Sequence, residues 1–180
     1  MALTPASSVS TGGLVVAYSS TLAAPAASID SGVSAIPATG NVLEIIFIGR
    51  TSQAVVTSSI VLRINGDSGA NYDREGFGVT NATLSGGPTL AATSWTANVP
   101  GTSVQAGSAG YVRTLIPSYA ATTFHKVGEQ FEAISDSAAA NNEVTIRGMR
   151  WRSTAAINQV SVTAGSGNLV AGSQLLLLVG

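Results

Sequence analysis

The sequence contains no cysteine and a single histidine, His125. Without thiols there is no disulfide framework and no thiolate chemistry, and one imidazole does not make a transition-metal site. Charge is also sparse. Charged residues fill 9% of the 180 positions, against about 25% in an average globular chain. The net charge is −1 and there is no basic stripe, which speaks against nucleic acid as a partner. Long apolar runs are missing as well. The longest, Ile45 to Ile48 and Leu175 to Val179, fall far short of the roughly 18 residues of a membrane span. Met1-Ala2-Leu3-Thr4-Pro5 lacks the positive start of a signal peptide. The expectation is a protein made and kept soluble, with no membrane span.

What is there is an ordinary apolar fraction, 45%, in a chain whose polar positions are mostly Gly, Ala, Ser and Thr. Disorder needs low hydrophobicity and high charge, and neither holds. A surface so poor in charge repels itself weakly and suits a protein packed against neighbours. Residues 1–12 read as an N-terminal arm and 13–180 as one domain.

Within the domain, short apolar stretches alternate with turn signals. Strands are expected over residues 13–21, 26–33, 42–50, 58–65, 76–83, 92–99, 110–117, 122–134, 142–152, 157–164 and 173–179. Pro, Gly and Asn clusters separate them, as at Asn65-Gly66 and Ser85-Gly86-Gly87-Pro88. Residues 135–142 read as a loop or a single helical turn. No sustained 3.6-residue period appears. The fold class is therefore all-β: a jelly-roll-like sandwich of about 8–11 short antiparallel strands. Residues 42–50 are apolar on both faces, as is the end of the chain. Ile46, Ile48, Leu176 and Leu178 are thus candidates for a subunit interface, on strands expected to be covered on both sides.

Several residue groups invite chemistry and are better read as structure. Gly66-Asp67-Ser68-Gly69 looks like a protease nucleophile loop, but His125 follows Ser68, the reverse of the trypsin-like order. A Gly- and Asp-rich hairpin turn accounts for it. Asp67, Asn71 and Asp73 offer oxygens to calcium without the spacing of an EF-hand loop. His125, Glu129, Glu132 and Asp136 suggest no carboxylate pair in an apolar cleft. Arg147, Arg150 and Arg152 crowd around Trp151, as an anion site or, more simply, as partners of nearby carboxylates. Trp95, Trp151, Tyr111 and Tyr119 are the candidates for a sugar-stacking platform, or for core and interface. No catalytic residue, metal or cofactor is expected, and the chain is not read as an enzyme.

Two stretches carry a resemblance. One runs Leu62-Arg63-Ile64-Asn65-Gly66-Asp67-Ser68-Gly69-Ala70-Asn71-Tyr72. The other runs Trp151-Arg152-Ser153-Thr154-Ala155-Ala156-Ile157-Asn158 and continues through Gly165-Ser166-Gly167-Asn168-Leu169-Val170-Ala171-Gly172-Ser173. Together they resemble a group of β-rich structural proteins of tailed-phage virions, over roughly residues 14–180. Ile64 and Leu169 stand where the group usually has Phe. The matching positions are Arg63, Asn65, Gly66, Asp67, Gly69, Asn71, Tyr72, Trp151, Arg152, Thr154, Ala155, Ile157 and Gly172. The resemblance implies a virion protein made in the host cytoplasm. Its leading form is a head decoration subunit that stabilises the capsid as a homotrimer against the major capsid protein. Its alternative is a minor tail or tail-fibre subunit for host attachment, with a host-surface glycan as a further partner.

Overall fold

Side chains alternate between the two faces of a strand, so each apolar-polar alternation in this chain marks a sheet with one buried side. The computed structural model describes residues 13–136 and 142–180; the proposed N-terminal arm and most of the 135–142 segment lie outside them. The described residues form thirteen strands and no helix. The strands are β1 (Val15–Thr21), β2 (Ser28–Asp30), β3 (Val42–Gly49), β4 (Thr57–Ile64), β5 (Tyr72–Thr80), β6 (Thr83–Gly86) and β7 (Thr89–Ala92). They continue with β8 (Trp95–Pro100), β9 (Gly110–Pro117), β10 (Lys126–Ile134), β11 (Glu143–Trp151), β12 (Val160–Ala164) and β13 (Gln174–Val179). Without a helix, no element of the described residues has the form of a membrane-spanning helix.

Two antiparallel sheets face each other as a β-sandwich. The larger has nine strands in the order β1-β13-β3-β9-β10-β11-β5-β6, with β7 also paired to β5; the smaller is β2-β12-β4-β8. The chain crosses repeatedly between the sheets. The first four strands of the large sheet, β1-β13-β3-β9, stand opposite the small one, whose edge strand β8 also packs against β10 and β5. The remaining strands come from two excursions: β5 to β7, between β4 and β8, and β10 with β11, between β9 and β12. These excursions pair with each other through β11 and β5 over nine residue positions, Glu143↔Thr80 to Trp151↔Tyr72. They extend the large sheet past β9 as a wing.

The core lies between the covered halves. Leu43, Ile45, Phe47, Leu175, Leu177 and Ile116 come from the large sheet, and Ile60, Leu62, Ile64, Val99 and Val162 from the small one. Each such side chain contributes about 1.5–3 kcal/mol by leaving water. Replacing Leu62, which is 1% exposed, with Ala should cost about 3 kcal/mol; denaturant unfolding measures it.

Three expected strands are redrawn. Residues 76–83 do not run as one strand: Asn81 and Ala82 take φ of +47° and +68°, a two-residue hairpin turn that ends β5 and starts β6. Residues 122–125 are loop, because Lys126 at the head of β10 turns its ammonium onto the carbonyls of Ala121 (2.5 Å) and Phe124 (3.3 Å). His125 therefore sits in an exposed loop rather than in a strand. Ala92 belongs to β7, and β8 begins at Trp95. The doubly covered strands are also corrected. The outward side of β3 leaves Ile46 half-buried and Ile48 exposed, and that of β13 leaves Leu176 and Leu178 half-buried. Among the described residues nothing covers that face.

Candidate functional site

The two resembling stretches meet in space as one latch. Asn65 and Gly66 take φ of +52° and +67° and reverse the chain after β4. The Asn65 side chain then reaches the second stretch. Its amide nitrogen donates to the Ala156 carbonyl at 2.8 Å, and its oxygen accepts from the backbone N–H groups of Asn158 (2.9 Å) and Gln159 (3.1 Å). Asp67 accepts from the Gly69 N–H (2.8 Å), Asn71 Nδ2 (3.0 Å) and Trp151 Nε1 (2.6 Å). Burial raises the Asp67 carboxyl, but the donors from Trp151, Gly69 and Asn71 outweigh it and hold the group below its usual range. The Tyr72 hydroxyl donates to the Asp67 carbonyl (2.9 Å) and accepts from the Ile64 N–H (3.0 Å); burial pushes it up to about 12. The Tyr72 ring stands edge-on to Trp95 at 5.5 Å.

Asp73 is the electrostatic half of the latch. It is 5% exposed and accepts from Arg152 (2.5 and 2.7 Å), from Arg150 (2.7 Å) and from the Ala91 N–H (2.9 Å). Arg152 first, then the Ala91 N–H and Arg150, hold its carboxyl well below the usual carboxylate range. With both carboxylates committed to donors, Asp67, Asn71 and Asp73 do not converge on a cation. Among the described residues no cluster of metal-ligating side chains forms.

The other motif positions are structural in the same way. Arg63 donates to the Thr93 carbonyl (3.3 Å), the Thr154 carbonyl accepts from Lys126 Nζ (3.1 Å), and the Ala155 N–H donates to Ser153 Oγ (3.2 Å). Ile157 is fully buried, and Gly172 takes φ of +87° in the turn before β13. Of the two glycines around Ser166, only Gly167 has a positive φ, +69°. Replacing Asn65 with Ala should cost about 2 kcal/mol, through three lost hydrogen bonds and a side chain ill suited to positive φ; thermal unfolding checks it.

The wing carries a different feature. On β3, β9 and β13 the side turned to the small sheet is apolar apart from Thr114. On β10, β11 and β5 the same side carries Gln130, Glu132, Glu143, Thr145, Arg147 and Arg74, and the outward side carries Val127, Phe131, Val144, Ile146, Phe77 and Val79. Over this stretch the polarity of the sheet is inverted, while Tyr72, Met149 and Trp151 keep the inward side apolar where β5 begins and β11 ends. Cross-strand register brings Phe131, Ile146 and Phe77 into one outward row. Phe77 is 56% exposed, Val127 54% and Ile146 47%, with Leu84 of β6 at 70%. The patch continues across β9 through Tyr111, tilted against Phe131 at 6.2 Å, to Ile48, which pairs with Tyr111. On this face Arg113 pairs with Glu44 and Arg150 with Asp73, while Glu129 and Glu75 stand exposed on either side of Gly148, beside the apolar row.

The inward polar groups of the wing have a clear task. β8 is an edge strand of the small sheet, with backbone groups that β4 does not reach. Glu132 accepts from the Asn98 N–H (2.9 Å), and Arg74 Nη1 donates to the Thr96 carbonyl (2.9 Å). Charged side chains thus seal an edge that would otherwise pair with another chain. Glu132 is fully buried and ion-paired with Arg147. Burial and the nearby Arg74 push the Arg147 guanidinium down to about 10, and Glu132 supplies its counter-charge. Glu143 accepts from Asn98 Nδ2 (2.7 Å) and Thr145 Oγ1 (3.0 Å).

All three arginines around Trp151 therefore have carboxylate partners. Trp95, Trp151 and Tyr119 are buried, at 3% exposure or less, and Tyr111 lies on the outer face, so the four aromatics form no common platform. Of the four proposed interface residues, Ile46, Ile48, Leu176 and Leu178 all look outward, but the larger apolar surface lies beside them on the wing. Sequence reading missed it because alternation alone does not tell which face is inside. No protein-family model, curated protein or solved structure matches the chain.

Proposed function

We propose that this chain is a non-enzymatic structural subunit of a phage particle, a decoration protein that docks on the head surface and stabilises the capsid. The observation that carries the reading is the inverted polarity of the wing. An apolar sheet face of this extent on a chain with so little charge is costly in water and is offset when a neighbouring subunit covers it. The low charge and the resemblance to tailed-phage virion proteins support the same reading. The strand order, β1-β13-β3-β9 facing β2-β12-β4-β8, supports it too: it fits the winding expected of an eight-stranded jelly roll with the wing as an insertion. The oligomer is taken to be a homotrimer, with the outer faces of β3, β13 and the wing shared between copies and the capsid lattice.

Purified protein added to heads that lack it should bind and raise their melting temperature. Density for the chain on the head surface in an electron-microscopy map of the particle is the expected result. Failure to bind heads, or density on the tail, would overturn the head assignment; the second outcome would establish the minor-tail alternative.

A further inference from the structure

The inward face of the wing is not entirely filled by the network that seals β8. Beyond that edge lies an open groove of about 330 Å³, lined by Arg74, Asn98, Glu143, Thr145 and Arg147 on one side and by Thr80, Ser85 and Pro88 on the other. Its floor is β5 at Gly76 and Gly78. A Cβ at Gly76 would stand 2.6 Å from Arg147 Cγ, and one at Gly78 would stand 2.3 Å from Thr145 Oγ1. The missing side chains let Arg147 and Thr145 lie flat and leave the trough open.

The lining selects against most ligand classes. The two guanidiniums are balanced by Glu132 and Glu143, and Arg74 and Arg147 already bond Thr96 and Glu132, so no surplus positive charge is present for phosphate. Glu132 is committed to Arg147 and Asn98, and Glu143 to Asn98 and Thr145, so no oxygen cluster is present for a cation. An added β-strand is blocked, because the Asn98 N–H and the Thr96 carbonyl of β8 are already bonded by Glu132 and Arg74. An apolar ligand would meet Thr, Ser, Asn and charged groups. What remains is a neutral ligand that both donates and accepts along its length.

We propose that this groove binds a saccharide. Planar Arg, Asn and Glu side chains can bond vicinal hydroxyls with charge assistance. They are held in place beforehand by their own partners, which lowers the ordering cost of binding. Pro88 at the rim offers apolar contact to ring C–H groups. The volume lies at the lower end of the roughly 300–1,000 Å³ usual for ligand sites and fits one or two sugar rings. The assignment is independent of head or tail placement, since it uses the face opposite the docking surface.

The test titrates ¹⁵N-labelled full-length protein separately with D-glucose, D-galactose, N-acetyl-D-glucosamine, L-rhamnose and inorganic phosphate, following amide resonances. At least one sugar should shift Gly78, Ser85 and Gly87 saturably, and phosphate should not. Ser85→Trp, on an exposed strand away from the bonded network, fills the trough; it should weaken that sugar at least tenfold with an unchanged melting temperature. If no sugar shifts these amides, if phosphate shifts them as strongly, or if Ser85→Trp binds like the parent, the proposal fails.

Discussion

Replacing Asp73 with Asn should destabilise the protein by about 3 kcal/mol, because breaking a buried ion pair leaves its partners uncompensated. The expected loss lies at the low end of that class because Arg150 and Arg152 keep 48% and 34% of their side-chain surface in contact with solvent and can turn to water. In a domain of this size that amounts to roughly 10 °C in melting temperature. The same carboxylate makes stability depend on pH. Its folded pKa is depressed, so its contribution is fully present above the unfolded value of about 3.9 and is lost as pH falls through the folded one. Asp67 is shifted in the same direction. The parent should therefore lose stability steeply below about pH 4, and Asp73→Asn should show a shallower slope there. A melting series against pH reads both effects. A cost under about 1 kcal/mol would show that the two stretches are held together by packing and not by this ion pair.

The second large effect concerns association. Phe77 and Ile146 face each other across β5 and β11 on the outward side. Phe77→Lys combined with Ile146→Glu puts opposite charges at one cross-strand position, which a sheet accommodates. The isolated fold should change by no more than about 0.5 kcal/mol, the usual range for surface substitutions. Self-association and head binding should weaken about 30-fold or more, the equivalent of losing one interface hot spot of 2 kcal/mol. Sedimentation velocity and a head-binding assay give the two numbers. If binding and oligomeric state survive the double substitution, the wing is not the docking surface.

The covered half of the sandwich was legible because its signals are local. Ser58 to Asn65 alternates cleanly, and Asn65-Gly66 is a turn by its own chemistry. The pairing of the two resembling stretches was visible as co-occurrence, though not as the Asp67–Trp151 and Asp73–Arg152 contacts that explain it. The wing was not legible. Tyr72 to Glu75 places three charged residues in a row and reads as loop; it is a strand because Asp73 meets arginines from the far end of the chain and Arg74 bonds the edge of β8. β6 and β7 are four residues each and flank Gly87-Pro88, which reads as a turn. On β11, Val144 and Ile146 look like core positions and Thr145 and Arg147 like surface positions. Which set faces inward depends on register with β10 and β5, and no neighbouring residue encodes that.

The position of β13 has a consequence for how the protein is made. This strand lies between β1 and β3 and bonds to both along its length, so the sheet has a gap at its seam until residues 174–179 have left the ribosome. The sheet therefore closes late, through pairings distant in sequence, which are slow to find. In the interval β1 and β3 present open edges. Nascent copies at high local concentration are then at risk of pairing with one another.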